Sequence, residues 1–397
     1  MILFQKEQSS TKKQTALLID IGIICIVFGI MFDRSILYLL AAFILAFGLL
    51  TILFNRFVGT KLVMDADKGV FQMRPGDQIE IPLTFENHSK IPIQNGWFTF
   101  ATNATVKEQN FKQTKGVDDL TITSLPLSIP GTSKVVVTCA FKAERRGVTK
   151  ISHLYYTFPN MFSFENITLQ LHTLPATELV VYPEAKSVHG LEKIMTHYYG
   201  NNRAPISPFE DLSENIGTRN YVMSDSLQSV HWKASAKMQQ LQTKTFERKW
   251  DMSWTIVINT EEFSRIGNAY ISKKLEDYLS VATQLCYTAT QQGLPFELHI
   301  NIESAGSVGY MKTSKGEGKI HLKRLLNLLA RVKSSDRLYS FRKLLHQLNK
   351  QIHQHRTIIY IGEVNVHDLS YLHAWKKKGT QVFAIQDTED LYWIKRL

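Results

Sequence analysis

The sequence predicts α/β plus β architecture: a two-helix membrane hairpin, an antiparallel β sandwich, then a doubly wound, mostly parallel sheet. Three observations predict this order. Two long apolar runs fall within the first 60 residues, residues 57–185 alternate apolar with polar side chains, and from about Met252 short apolar strands alternate with amphipathic helices. The 397 residues allow two or three domains at roughly 150 residues each. Charged residues are 20% of the chain and mean hydropathy is −0.12, which excludes wholesale disorder and a polytopic transporter. The formal net charge of +11 favours anionic partners. The three cysteines, Cys25, Cys139 and Cys286, are too dispersed for a disulfide framework or a CxxC metal site.

The hairpin occupies residues 1–56. Thr15 to Phe32 is apolar apart from Asp20, and Ile36 to Phe54 carries no charge. Each run is long enough to cross a hydrocarbon core of ~30 Å. Only Asp33, Arg34 and Ser35 separate them, so the helices run antiparallel. Lys6, Lys12 and Lys13 before the first run, with Arg56 and Lys61 after the second, place the N-terminus and main body in the cytoplasm of a two-pass cell-membrane protein. Asp20 lies in the first turns of its helix, where interfacial water or Lys12 can satisfy it. The polar stretch before the first run fits a signal peptide poorly.

Residues 57–185 read as β. In Asp77–Glu86, Ile79, Ile81, Leu83 and Phe85 alternate with polar or small residues, the period of a half-buried strand. Runs at Gly96–Ala101, Leu120–Ile129 and Val135–Phe141 are rich in Thr, Val, Ile and Phe and end at Gly, Pro or Asn. This pattern predicts an antiparallel sandwich of immunoglobulin-like shape, a fold that usually binds or spaces. The Asn-x-Ser/Thr triplets at Asn87, Asn103 and Asn166 read as chance in a cytoplasmic body.

Residues 251–397 read as α/β. Trp254–Ile258 is a short apolar run suited to a parallel strand covered on both faces. The spacing of Ile271, Leu275, Tyr278, Leu279, Ala282, Leu285 and Ala289 predicts a helix over about Asn268–Gln292, ended by Gly293. Further strands are expected at Phe296–Ile302, Thr357–Ile361 and Val382–Ile385, with helices near Ile320–Val332, Leu338–His353 and His367–Lys378.

Residues 186–250 connect the two domains and hold the most distinctive stretch. Ser224 or Asp225 can cap a short helix bearing Val230, Trp232 and Ala236, and Leu241–Phe246 alternates as a strand. The order Arg219, Tyr221, Asp225, His231, Trp232, Lys233, Ala234, Ser235, Ala236, Lys237 resembles the signature of the domain of unknown function 58 family, the YeaD-like bacterial membrane proteins. The Arg145-Arg146-Gly147 turn and the Val181-Tyr182-Pro183 strand end also resemble that family. The resemblance implies a C-terminal domain similar to the von Willebrand factor A fold, which often holds a divalent metal at a D-x-S-x-S loop after its first strand. Here that loop reads Asn259, Thr260, Glu261, Glu262, Phe263, so Asn259, Glu261 and Glu262 are degenerate metal-loop positions and no metal or other cofactor is expected. Ser224 and Gln228 also replace the family's usual Gly and Arg, which puts an anion-binding role there in doubt.

No GxSxG elbow, HExxH or complete phosphate-binding loop occurs, and His353 and His355 lack zinc-site neighbours, so no catalytic residues are named. His231, Trp232 and Lys233 suit either a recognition cluster or, more simply, a Trp packing anchor framed by the Arg219–Asp225 pair. Between Lys323 and Arg356, nine Lys or Arg oppose Asp336 alone, on helices with an apolar inner face. That outer face suits solvent, an acidic protein or anionic lipid better than nucleic acid, for which interleaved aromatics are missing. The family resemblance implies encoding beside MoxR-type AAA+ ATPases and transglutaminase-like membrane proteins. The expected function is a membrane-anchored, cytoplasm-facing scaffold or adaptor working with such an ATPase in protein assembly or envelope maintenance, with Arg219, Tyr221, Asp225 and Trp232–Lys237 organising the junction of the soluble domains. The rival is a metal-dependent ligand-binding or enzymatic domain at the C-terminal edge of the α/β sheet.

Overall fold

A computed structural model describes the chain except residues 1, 4, 7–10, 67–68, 117–118, 163–164, 172–176, 193, 195–209, 249–252, 305–308, 353–355, 389–390 and 397. His353 and His355 therefore lie outside the described residues. The chain divides into two compact units, Met1–Tyr182 and Pro183–Leu397.

The first unit opens with helices α1 (Thr11–Phe32) and α2 (Ser35–Phe57). They turn at Asp33, whose φ of 45° sits in the left-handed region that Asp tolerates better than most residues. By length and composition α2 can cross a bilayer, while the apolar part of α1, Ala16–Phe32, is shorter. The helices meet closely where side chains vanish: a Cβ on Gly22 would stand 2.8 Å from the Leu45 side chain. Small residues permit the same close approach between helices in lipid. Outward-facing Leu39, Phe43, Leu50 and Leu53 are exposed, so the pair presents apolar surface on its outside.

The end of α2 is built into the β module that follows. Phe54 and Val58 join the sandwich core, and Phe54 meets Phe162 edge-on with ring centroids 5.2 Å apart. Asn160 Nδ2 donates to Asn55 Oδ1 at 2.9 Å. The alternating strands expected from sequence occur at Gln78–Asn87, Ile93–Asn103, Leu120–Ile129 and Ser133–Ala143. They are divided between a five-stranded and a six-stranded sheet, and a three-stranded sheet completes the unit. The two larger sheets share one core, because their inward residues alternate with outward ones. Phe85 of one packs edge-on against Phe98 of the other at 4.9 Å.

The second unit is built around a seven-stranded sheet. Trp254–Ile258 lies between the parallel strands Phe296–Glu303 and Thr357–Ile361, and the latter pairs in parallel with Gln381–Thr388. Antiparallel strands Tyr310–Lys312 and Leu391–Arg396 flank this parallel centre. A short helix α3 (Trp232–Met238) precedes the sheet's centre, followed by α4 (Leu275–Gln291), α5 (Gly318–Arg331), α6 (Phe341–Gln351) and α7 (Val366–Lys377). Two separate cores result. Ile256, Ile258, Ile359 and Ile361 pack with α4 and α5, whereas Val257, Ile358 and Tyr360 pack with α6 and α7. Alternation along each strand thus feeds one helical layer on each face.

Two departures from the sequence reading have clear causes. Residues 269–271 do not begin α4, because Ala269–Ile271 pairs as a hairpin with Glu261–Phe263. Ile271 still packs on the core that the helical pattern assigned it to. The nine cations of 323–356 also do not form one face, since α5 and α6 cover opposite sides of the sheet. Arg356 is turned inward, with its Nη1 3.1 Å from Glu297 Oε1.

Candidate functional site

Two constellations hold the residues singled out from sequence. The first is the C-terminal edge of the parallel strands. Asn259, immediately after Trp254–Ile258, is buried and donates from Nδ2 to Tyr360 Oη at 3.0 Å and to the Glu363 carbonyl at 3.1 Å. Its Oδ1 accepts from Glu261 N at 3.0 Å and faces Asn301 Nδ2 at 3.4 Å. Asn301 Oδ1 in turn accepts from Thr260 N at 2.7 Å and Thr260 Oγ1 at 2.8 Å. The Tyr360 hydroxyl shares its proton between the Glu363 carbonyl, 2.7 Å away, and Asp368 Oδ2, 3.2 Å away. Burial, then the Asp368 carboxylate, push the Tyr360 hydroxyl well above its ordinary range. Gly362 permits the close passage of this loop: its φ is +120°, and a Cβ there would stand 2.3 Å from the Asn259 carbonyl oxygen.

Glu261 and Glu262 are not brought together. Adjacent strand residues point to opposite faces, and here Glu261 Oε2 accepts from Phe341 N at the start of α6, 3.2 Å away, while Glu262 accepts from Ser272 Oγ. Desolvation raises the Glu261 pKa, assisted by Asp368 and opposed by the Phe341 hydrogen bond. The divalent-metal site that the von Willebrand resemblance implies does not fit these side chains. Asn259 Oδ1 is engaged by two internal donors, and the two glutamates diverge. Among the described residues no group of three or more His, Cys, Asp or Glu side chains is placed to hold a metal ion.

Sequence reasoning missed a polar row on the strand that supplies Asn301, running from its N-terminal end to this edge. Glu297 and His299 alternate with Asn301 on Phe296–Glu303, and Glu297 Oε1 accepts from Thr255 Oγ1 at 2.8 Å and from Arg356. Burial alone would raise the Glu297 pKa, but His299, Thr255 and Arg356 outweigh it and hold the carboxyl below its usual range. Polar residues at every second position of an otherwise apolar strand were the available signal.

The second constellation is a two-stranded ribbon, Glu210–Asn220 against Gln242–Arg248, whose tip is residues 221–241. Asp225 fastens it. Its Oδ1 lies 2.6 Å from Arg219 Nη2, and its Oδ2 accepts from Val222 N at 3.1 Å and Thr243 Oγ1 at 3.0 Å. Tyr221 Oη donates to the Asp225 carbonyl at 3.2 Å. Hydrogen bonding to Arg219 first, then to Val222, holds the Asp225 carboxyl below its ordinary range. His231 caps α3, its Nδ1 accepting from Ala234 N at 3.1 Å, and Ser235 Oγ donates to the His231 carbonyl while accepting from Gln242 N at 2.8 Å. His231 and Ser235 thus tie helix to strand and present no nucleophile–base pair to solvent. Lys233 and Lys237 are exposed.

Trp232 is not the packing anchor expected from sequence, because it is 65% exposed. Within 221–241 only Val230 is buried. The residue that plugs the tip is therefore the β-branched neighbour two positions earlier.

Residues 217–391 match the family model described as "Protein of unknown function DUF58", and this match supports the DUF58 family. No curated protein matches the sequence. Among solved structures, a type I cohesin from Pseudobacteroides cellulosolvens is 14% identical, over 31% of this chain and 94% of that chain, with a TM-score of 0.20. A non-cellulosomal cohesin from Archaeoglobus fulgidus is 11% identical, over 35% and 99% respectively, with a TM-score of 0.20. Salmonella alpha-2-macroglobulin reacted with methylamine is 11% identical, over 31% and 9%, with a TM-score of 0.23. At such TM-scores these likenesses carry no argument about this chain.

Proposed function

We propose that this chain is a YeaD-like, membrane-anchored scaffold or adaptor whose second unit, of von Willebrand factor A type, docks an acidic protein partner in the cytoplasm. The partner in this reading is a MoxR-type AAA+ ATPase, with a transglutaminase-like membrane protein as a further associate, in protein assembly or envelope maintenance. Helices α1 and α2 both cross the membrane, leaving the N-terminus and main body inside. The observation that supports docking most is the helical layer formed by α6 and α7. Arg342, Lys343 and Lys350 on α6 are exposed, as are Lys376, Lys377 and Lys378 at the end of α7. Neither helix carries an exposed acid, since the lone carboxylate, Asp368, is buried. Such a single-sign face accelerates encounter with an acidic surface and loses strength with salt.

The opposing reading, metal-dependent binding or catalysis at the strand ends, is disfavoured by the inward use of Asn259, Asn301 and Tyr360. One experiment separates the two. Full-length protein in lipid nanodiscs is used to capture the MoxR-type ATPase of the same cell, with and without ATP. Nucleotide-dependent capture that weakens with salt, and that is lost on joint charge reversal of Lys343, Lys376 and Lys377, is expected. Failure to capture folded ATPase in either nucleotide state, together with a melting temperature that rises with Mg²⁺ or Mn²⁺, would replace the adaptor reading by the metal one.

A further inference from the structure

The ribbon tip places large apolar side chains in solvent. Met223 is 97% exposed, Leu227 66%, Trp232 65% and Met238 65%. Val222 and Leu241 are exposed beside them. The polar side chains do the opposite job: Asp225, His231 and Ser235 are spent on fixing the tip's own backbone. A segment held rigid by its polar groups while its Trp, Met and Leu face water is built to meet a surface.

Its charge indicates which surface. From Tyr221 to Lys244 the only acid is Asp225, already paired with Arg219, whereas Lys233, Lys237 and Lys244 are all cationic. Trp with Met and Leu beside lysines suits the headgroup boundary of an anionic bilayer, where the indole sits at the interface and the ammonium groups meet lipid phosphates and carboxylates. Such short peripheral contacts are weak alone and become effective when a second anchor keeps the bilayer within reach. The helix Ser35–Phe57 of the same chain, long and apolar enough to cross a bilayer, would serve as that anchor.

We propose that the tip formed by Met223, Leu227, Trp232 and Met238, with Lys233 and Lys237, docks on anionic lipid and so gives the second unit its own membrane contact. This inference rests on the membrane-anchor part of the proposed function and not on the ATPase.

The test uses the full chain reconstituted into vesicles containing brominated phosphatidylcholine, with or without phosphatidylserine. All six tryptophans lie outside the two apolar helices, at Trp97, Trp232, Trp250, Trp254, Trp375 and Trp393, so inserted helices contribute no tryptophan signal. Bromine quenching that is absent from Trp232→Phe and stronger with phosphatidylserine is the expected result. Lys233→Gln with Lys237→Gln should reduce the serine-lipid preference, by roughly fivefold in apparent partition for each lysine lost. Quenching equal in wild type and Trp232→Phe, from a chain that vesicles retain in alkaline carbonate, overturns the tip contact while leaving the anchor standing. Loss of the chain from vesicles in carbonate overturns the anchor, and the tip contact with it. A Trp232-dependent rise in particle mass in detergent without lipid quenching assigns the tip to a second copy instead, which also overturns the proposal.

Discussion

The edge of the sheet and the tip of the ribbon use the same kinds of residue in opposite senses. At the edge, Asn259, Thr260 and Asn301 are buried polar groups whose donors and acceptors close on one another and on Tyr360. At the tip, polar groups again fasten the backbone, but the large apolar residues point outward. The first arrangement stabilises a loop cluster and leaves little to offer a ligand. The second contributes little to packing and leaves much to offer a partner. In this chain, then, the tip and the basic α6–α7 layer expose their apolar and cationic side chains, whereas the strand ends, where open α/β sheets usually bind, turn their polar groups inward.

The comparison is broken most directly at Asn259. Asn259→Ala removes the donors to Tyr360 and Glu363 and the acceptor for Glu261 N and for the buried Asn301 Nδ2. A loss of about 2–3 kcal/mol is expected, read as a lower denaturant midpoint for the second unit in detergent. A midpoint within error of wild type would mean the edge is open enough for water to replace these bonds, which would restore it as a ligand site.

Asp225→Ala ranks next. It deletes the acceptor for Arg219, Val222 N and Thr243, so amide exchange should accelerate across 219–243 while the strands at 254–258 and 357–361 keep their protection. Acid has the same target. Because the folded Asp225 pKa lies below its ordinary value, its contribution is fully present above the unfolded carboxylate range near 3.9 and is lost only as pH falls through the lower folded value. Tip amides that open already at pH 5 would contradict this.

Much of this architecture was legible in the sequence. Strand Trp254–Ile258 and strand Thr357–Ile361 are continuous apolar runs, and their complete burial follows from helices on both faces. Strand Leu391–Arg396, which lies between Gln381–Thr388 and the short outer strand Val188–His189, does not stand out in the sequence, because only Tyr392 and Ile394 turn inward and charged residues follow. At the sheet edge, Asn259, Glu261 and Glu262 stand out locally, but Asn259 is fixed by Asn301, 42 residues away, and Tyr360, 101 residues away, and Glu261 by Phe341, 80 residues away. No local pattern encodes such pairings. The tip illustrates the converse: the helix cap expected at Ser224 or Asp225 falls to His231, because Asp225 is engaged by Val222 N and Thr243, and whether Trp232 is covered depends on elements that the local sequence does not name.

A smaller effect is expected at Glu261. Its raised pKa means that the folded protein holds the proton more tightly than the unfolded chain, so ionisation costs stability as pH rises from about 4.5 through the raised value. Glu261→Gln keeps an acceptor for Phe341 N and removes that cost. The variant should melt slightly above wild type at pH 7 and level with it below pH 4.5 or so. A variant that melts lower at pH 7 would show that the charge itself, at the start of α6, is worth more than its desolvation costs.

The smallest expected effect sharpens the comparison most. Trp232 is the largest side chain at the tip, and an ordinary buried Trp replaced by Ala costs about 3–5 kcal/mol. At 65% exposure its removal strands no buried partner and opens no cavity, so Trp232→Ala should shift the denaturant midpoint by no more than about 0.5 kcal/mol. Amide protection across 219–243 should also stay in place, since Asp225 and His231 hold the backbone without it. A destabilisation of Asn259 size would instead mean that other parts of the protein cover the indole in solution, and the tip would then be structure and not surface.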